Sequence, residues 1–207
     1  FRSAEMFERV AALGDAVGCS DAAARRRHSA DTIRAQLRDR FFDSHRGVFA
    51  DCIKDGRRGE HTSEHTLCLA VLAGVATPDQ MNAMMDAYAA DHSVFGSATP
   101  SWPFLPGAFI RAGRPGLALD WVCRRFEPLL EQEFESIPEL WHLHGELTAG
   151  RWRTRNSRAV AQGCGLGVAT ACLAELCGIQ ALEPGFAAVR FAPSPGPLKR
   201  MDGVYPG

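Results

Sequence analysis

Carboxylates, imidazoles, indoles and guanidinium groups gather in four polar stretches of this chain. They are residues 60–65 (Glu-His-Thr-Ser-Glu-His), 97–102 (ending Pro-Ser-Trp), 135–146 and 151–158. These are the side-chain types a saccharide site draws on. Carboxylates do acid and base work, tryptophans such as Trp102, Trp141 and Trp152 stack on the apolar faces of a pyranose, and Arg151, His61, His65 and His144 hydrogen-bond hydroxyls. Any one stretch alone is explained as well by a solvated loop. The third is the richest, with Glu139, Trp141, His142, His144 and Glu146 within eight residues. Glu146 follows His142 by four positions, so one helical turn would set them on the same face.

A second chemistry is written in the first stretch. His61-Thr62-Ser63-Glu64-His65 has the H-x-x-E-H spacing of the inverted zinc proteases, which on a helix sets two imidazoles on one face with a glutamate as base. Glu135 or Glu139, about 70 residues downstream, could complete the ligand set. That motif belongs in an α+β roll, and this chain lacks the strand patterns to build one, so no metal is expected. His142-Leu143-His144 has the right residue types for a metal but too few ligands. Other constellations are missing. Gly163-Cys164-Gly165-Leu166-Gly167 falls inside a helical pattern rather than after a strand, which argues for helix packing and against a phosphate loop. There is no G-x-S-x-G elbow, no cysteine has a nucleophile's setting, and no cofactor is expected.

The remaining composition narrows the class. A chain of 207 residues with 46% hydrophobic content can bury a sizeable core, and a net charge of −1 gives no field to attract a polyanion, although 21 of its 23 basic residues are arginine. Nucleic acid is excluded as a partner on this ground, and Arg25-Arg26-Arg27, with Asp21, Asp31 and Asp39 nearby, reads as the wet face of a helix. No stretch reaches the roughly 18 to 20 apolar residues of a membrane span. Seven cysteines, odd in number and without a C-x-x-C pair, read as small buried thiols of a reducing compartment, with export left open. The chain opens on Phe1 inside a helical pattern, which leads us to expect a piece of something longer.

The elements that would position these residues are helical. The periodicity predicts helices over 3–17, 20–42 with Ser20 as N-cap, 65–76, 77–90, 104–112, 117–130 and 157–178, and scarcely any strand before residue 186. The 65–76 segment is apolar nearly all round, the mark of a buried helix, whereas Thr77-Pro78-Asp79-Gln80 is a capping box that opens an amphipathic one. The alternation of apolar and amphipathic members repeats at 104–112 and 117–130, and the last helix is rich in Ala and Gly, which lets backbones approach closely. Such hairpins suit an (α/α) toroid or an array of helical repeats. Residues 47–51 could form a short extended piece, and 188–191 read as a β-strand bounded by Pro193. In a toroid the loops before the inner helices line one mouth, which is where the four polar stretches fall.

The ending is the most specific passage. Gly178-Ile179, Leu182, Pro184-Gly185-Phe186, Val189-Arg190-Phe191 and Pro193 resemble the point at which the catalytic barrel of bacterial α-L-rhamnosidases passes into a trailing β-sandwich. Residues 47–51, 61–74 and 113–118 are similar to that family's middle helices in order and rough spacing. The resemblance implies an all-α fold, part of an (α/α)6 six-hairpin toroid over residues 1–180, then the start of a β-sandwich over 181–207. It also implies inverting hydrolysis of a terminal glycoside, with a carbohydrate substrate and the remainder of its own catalytic domain as partners. The family carries its catalytic base in a T-[LIFV]-W-E motif before the last inner helix. Aligning the tryptophans sets His142 where that Glu would stand and Glu139 where the Thr would be. Glu146 and Glu139 are thereby the candidates for the base. The family's Asn-His pair at the last inner helix is replaced by Asn156-Ser157, and its acid lies in an earlier segment with no counterpart here. A toroid that has lost its base and only holds sugar is the alternative within the same fold.

Overall fold

A computed structural model of the chain describes residues 1–96, 104–131, 167–168 and 172–202. The chain divides into two units, Phe1–Ser97 and Ala98–Gly207. Among the described residues the backbone is mainly helical, with four small two-stranded sheets.

The first unit begins with two helices, α1 (Arg2–Ala16) and α2 (Ser20–Phe41), that pack through small residues. Ala4 and Ala11 on α1, and Ala23 and Ala30 on α2, are fully buried, so backbones rather than long side chains meet. The expected apolar residues of α2, Ile33, Leu37 and Phe41, are only half-buried. The N-cap of α2 is Cys19, not Ser20, and it makes no side-chain cap bond. Arg25 and Arg26 are exposed and Arg27 pairs with Asp15 and Glu8, in keeping with a wet helix face. From the same helix Arg34 and Arg38 donate to the carbonyls of Ala73 and Val75, at 2.9 Å each. An apolar line of Met6, Val10 and Leu13 on α1, continued by its C-cap Val17, is exposed.

Between α2 and the next helix the chain makes short ladders, of which the sequence foretold only the extended piece at 47–51. β1 (Phe42–Asp43) pairs antiparallel with β2 (Val48–Phe49), and β3 (Ile53–Lys54) with β4 (Arg57–Arg58). Two-residue strands are too short to display the alternation by which strands are recognised. The extended piece expected at 47–51 is β2. β5 (Thr62–Ser63) runs directly into α3 (Glu64–Leu72), whose Leu67, Cys68, Ala70 and Val71 are buried as its all-round apolar sequence predicts. α4 (Pro78–Ala90) opens on the predicted capping box, with Thr77 Oγ1 accepting from Gln80 N at 3.3 Å and Gln80 Oε1 accepting from Thr77 N at 3.0 Å. Met84, Met85 and Tyr88 turn its buried face inward with Phe49 and Phe95. β6 (Phe95–Gly96) then lies parallel to β5, pairing Thr62 with Phe95 and Ser63 with Gly96.

In the second unit α5 (Leu105–Arg111) is buried from Leu105 to Ile110, and α6 (Pro115–Glu131) buries Ala118, Trp121, Arg125 and Leu129, one face of an amphipathic helix. The long helix expected over 157–178 falls mostly outside the described residues; Cys172–Leu176 forms a π-helical turn. Gly178 is not merely its end. It introduces β7 (Ile179–Ala181), antiparallel to β8 (Val189–Phe191), in a ribbon joining Ile179 to Phe191 and Ala181 to Val189. The strand expected at 188–191 is β8; no strand was expected at 179–181, where its partner β7 lies. The thiols also need correction, since of the free cysteines described only Cys68 is buried, while Cys19, Cys52 and Cys123 are exposed. Apolar neighbours along the chain did not place those three on a buried face.

Candidate functional site

The described chemistry converges on the segment that precedes α3. The chain leaves β2 at Ala50, whose N–H is fixed to Phe41 O at 2.9 Å, and Asp51 then donates its own N–H to His61 O at 3.0 Å. Thr62, buried at the start of β5, donates its hydroxyl to Phe49 O at 2.7 Å. These two links lay residues 61–63 alongside 49–51 and carry the side chains of Asp51 and His61, ten apart in sequence, together. His61 Nδ1 stands 2.5 Å from Asp51 Oδ2. The other carboxylate oxygen accepts from Ser63 Oγ at 2.9 Å and from Thr66 Oγ1 at 2.5 Å.

Ser63 serves twice, because its Oγ also accepts from Thr66 N at 3.2 Å as the N-cap of α3. The Asp51 carboxylate therefore sits at the positive end of a helix, a favourable place for an anion. Burial pushes its carboxyl up, but hydrogen bonds from Thr66, His61 and Ser63, with the charge of His61, more than reverse this and hold it below the ordinary carboxylate value. The result is an oriented imidazole on a rigid base: 24% of the Asp51 side chain is exposed and 67% of that of His61. An ionised carboxylate can only accept, so the proton of a neutral His61 resides on Nδ1 and the lone pair on Nε2.

Of the residues proposed from sequence for substrate contact, only His61 and His65 lie among those described. His65 is half-buried on the first turn of α3, and burial lowers its imidazole below the ordinary value, opposed by Glu64 and Asp51 and aided by Arg2. Trp102, Glu139, Trp141, His142, His144, Glu146, Arg151 and Trp152 lie outside the described residues. Parallel pairing of β5 with β6 sets Gly96, the residue before the second stretch, next to Ser63.

The zinc reading loses its geometric basis here. Its spacing works only on a continuous helix, but α3 starts at Glu64, and His61 precedes a strand and is turned to Asp51. Glu64, which would be the base, is 2% exposed and accepts from Tyr88 OH at 2.7 Å. Among the described residues no three His, Cys, Asp or Glu side chains gather so as to hold a metal ion. Sequence reasoning missed Asp51, Thr66 and Tyr88 as partners. No local pattern marks Asp51, since its role depends on the fold-back through β2 and β5.

No family model matches the sequence, and no curated protein matches it. Among solved structures, the chain is similar to the GH78 family rhamnosidase of Bacillus sp. GL1, with a TM-score of 0.73 over 92% of its length at 22% identity. The chain shares its backbone fold with part of that enzyme. It spans 20% of that enzyme's length. At this identity the likeness speaks for backbone architecture, and the chemistry has to be argued from this chain's own side chains.

Proposed function

We propose that this chain forms part of the (α/α)6 catalytic toroid of an α-L-rhamnosidase-like glycoside hydrolase, which cleaves a terminal glycoside with inversion. The observation that carries this reading is the shared fold with a GH78 rhamnosidase across 92% of the chain. The resemblance of the ending at residues 178–193 supports it independently. Inverting hydrolysis needs a carboxylic acid to protonate the leaving oxygen and a carboxylate to activate water, about 6.5 to 9.5 Å apart. Glu146 or Glu139 supplies the base here. His142 occupies the position at which the family has its glutamate, and the acid comes from a segment outside this chain. Trp141, Trp102 and Trp152 stack on the sugar, and His61, His65, His144 and Arg151 address its hydroxyls.

The test is hydrolysis of chromogenic aryl glycosides by the full polypeptide that carries this chain, beside its Glu146→Gln and Glu139→Gln variants. One of the two should lose at least about two orders of magnitude in kcat, as expected for a general base. Equal turnover in both variants and the parent would end the base assignment. His142 in the glutamate position favours a second reading, a toroid that retains sugar binding without turnover. Saccharide binding by calorimetry, with no hydrolysis of any aryl glycoside, would establish it.

A further inference from the structure

We infer that Asp51 is a positioning residue for saccharide binding: it fixes the tautomer and direction of His61, so that Nε2 accepts a hydrogen bond from a sugar hydroxyl. The inference rests on the glycosidase reading above and names a residue of that site which no sequence motif indicated.

Three observations carry it. First, the His61 to Asp51 contact of 2.5 Å uses Nδ1, the nitrogen nearer the backbone, and leaves Nε2 at the far edge of a side chain that is 67% exposed. Second, Asp51 cannot swing to follow the ring. Its other oxygen is held by Ser63 and Thr66, and its backbone N–H by His61 O, so the carboxylate is locked to the first turn of α3. Third, the ring's outer edge lies against Gly96. A β-carbon there would come within 2.6 Å of Nε2 and 2.7 Å of Cε1, closer than such atoms approach. The residue at 96 must therefore lack a side chain for His61 to stand where it does. Nε2 is thus held beside Gly96 on β6. An imidazole acceptor held there suits a hydroxyl of the saccharide that the glycosidase reading implies.

Asp51, Ser63 and Thr66 also start a helix, so loss of function on mutating Asp51 would not by itself separate positioning from folding. The decisive comparison is a double-mutant cycle on the full polypeptide with an aryl glycoside as substrate, joined to nitrogen-detected NMR of His61. The parent should show His61 protonated on Nδ1 at neutral pH, and Asp51→Asn should abolish that preference. Asp51→Asn and His61→Ala should each raise KM about tenfold with kcat nearly unchanged, the signature of a lost binding contact. Asp51→Asn should add nothing in the His61→Ala background. Gly96→Ala, which displaces the ring without touching Asp51, should raise KM as His61→Ala does. Equal effects of Asp51→Asn in both backgrounds, or a parent His61 protonated on Nε2, would overturn the inference while leaving the glycosidase reading intact. A parent that hydrolyses no glycoside would bring down that reading and this inference together, and it would show in the unmutated protein alone.

Discussion

Asp51 and His65 are neighbours at the head of α3, and both make the fold sensitive to acid. The folded-state value of each is depressed, His65 below 6.5 through burial and Asp51 below 3.8 through its hydrogen bonds from Thr66, His61 and Ser63 outweighing burial. In each case the unfolded chain binds the proton more readily than the folded one, so stability rises with pH in the interval between the two values. We therefore predict a stability that is full above pH 6.5, declines as the unfolded His65 takes up its proton, and declines again below pH 3.8 as the Asp51 pair is lost. Urea midpoints measured from pH 8 to pH 3 check this. His65→Gln should flatten the upper limb and Asp51→Asn the lower, and limbs that persist in both variants would assign them to other groups. The polar stretch around His61 and His65 was visible in the sequence because histidine and glutamate are conspicuous in a helical chain. Asp51 was not, because an aspartate in a loop is ordinary until something folds against it.

Secondary structure in this chain begins where local chemistry is self-sufficient. The Thr77-Gln80 box satisfies two backbone groups from within four residues, and α4 starts where the sequence said it would. Thr77→Ala should cost about 0.5 to 2 kcal/mol, read from thermal or urea unfolding. A larger penalty is expected at Gly178, whose φ is +67° and where a β-carbon would fall 2.0 Å from the Ala192 carbonyl oxygen. Gly178→Ala forces that backbone apart and should open the β7–β8 ribbon, seen as lost amide protection at Ala192, which donates to Gly178 O at 2.8 Å. If the amide of Ala192 stays protected in that variant, the close approach is not what holds the ribbon. Ends set by distant partners were harder to read. The helix expected to reach residue 76 stops at Leu72, and α2 supplies Arg34 and Arg38 to carbonyls just beyond it. Nothing within 65–76 announces those donors.

For the whole molecule, the prediction is stereochemical. If the chain contributes the base side of a two-carboxylate site, water attacks from the face opposite the leaving group, and the first sugar released has the inverted anomeric configuration. Proton NMR of the fresh product, before mutarotation, decides this, and retention would rule out the proposed arrangement. By itself the sequence determined the helices up to residue 131, which of them are greasy, and the strand at 188–191, because periodicity, caps and small residues act over a few positions. It also suggested the fold that the GH78 rhamnosidase shares at TM-score 0.73. Tertiary structure alone decided the short ladders, the joining of Asp51 to His61, and the burial of Glu64 against Tyr88. The two side-chain pairs join residues 10 and 24 apart, and hydrogen bonds across such distances leave no periodic trace along the chain.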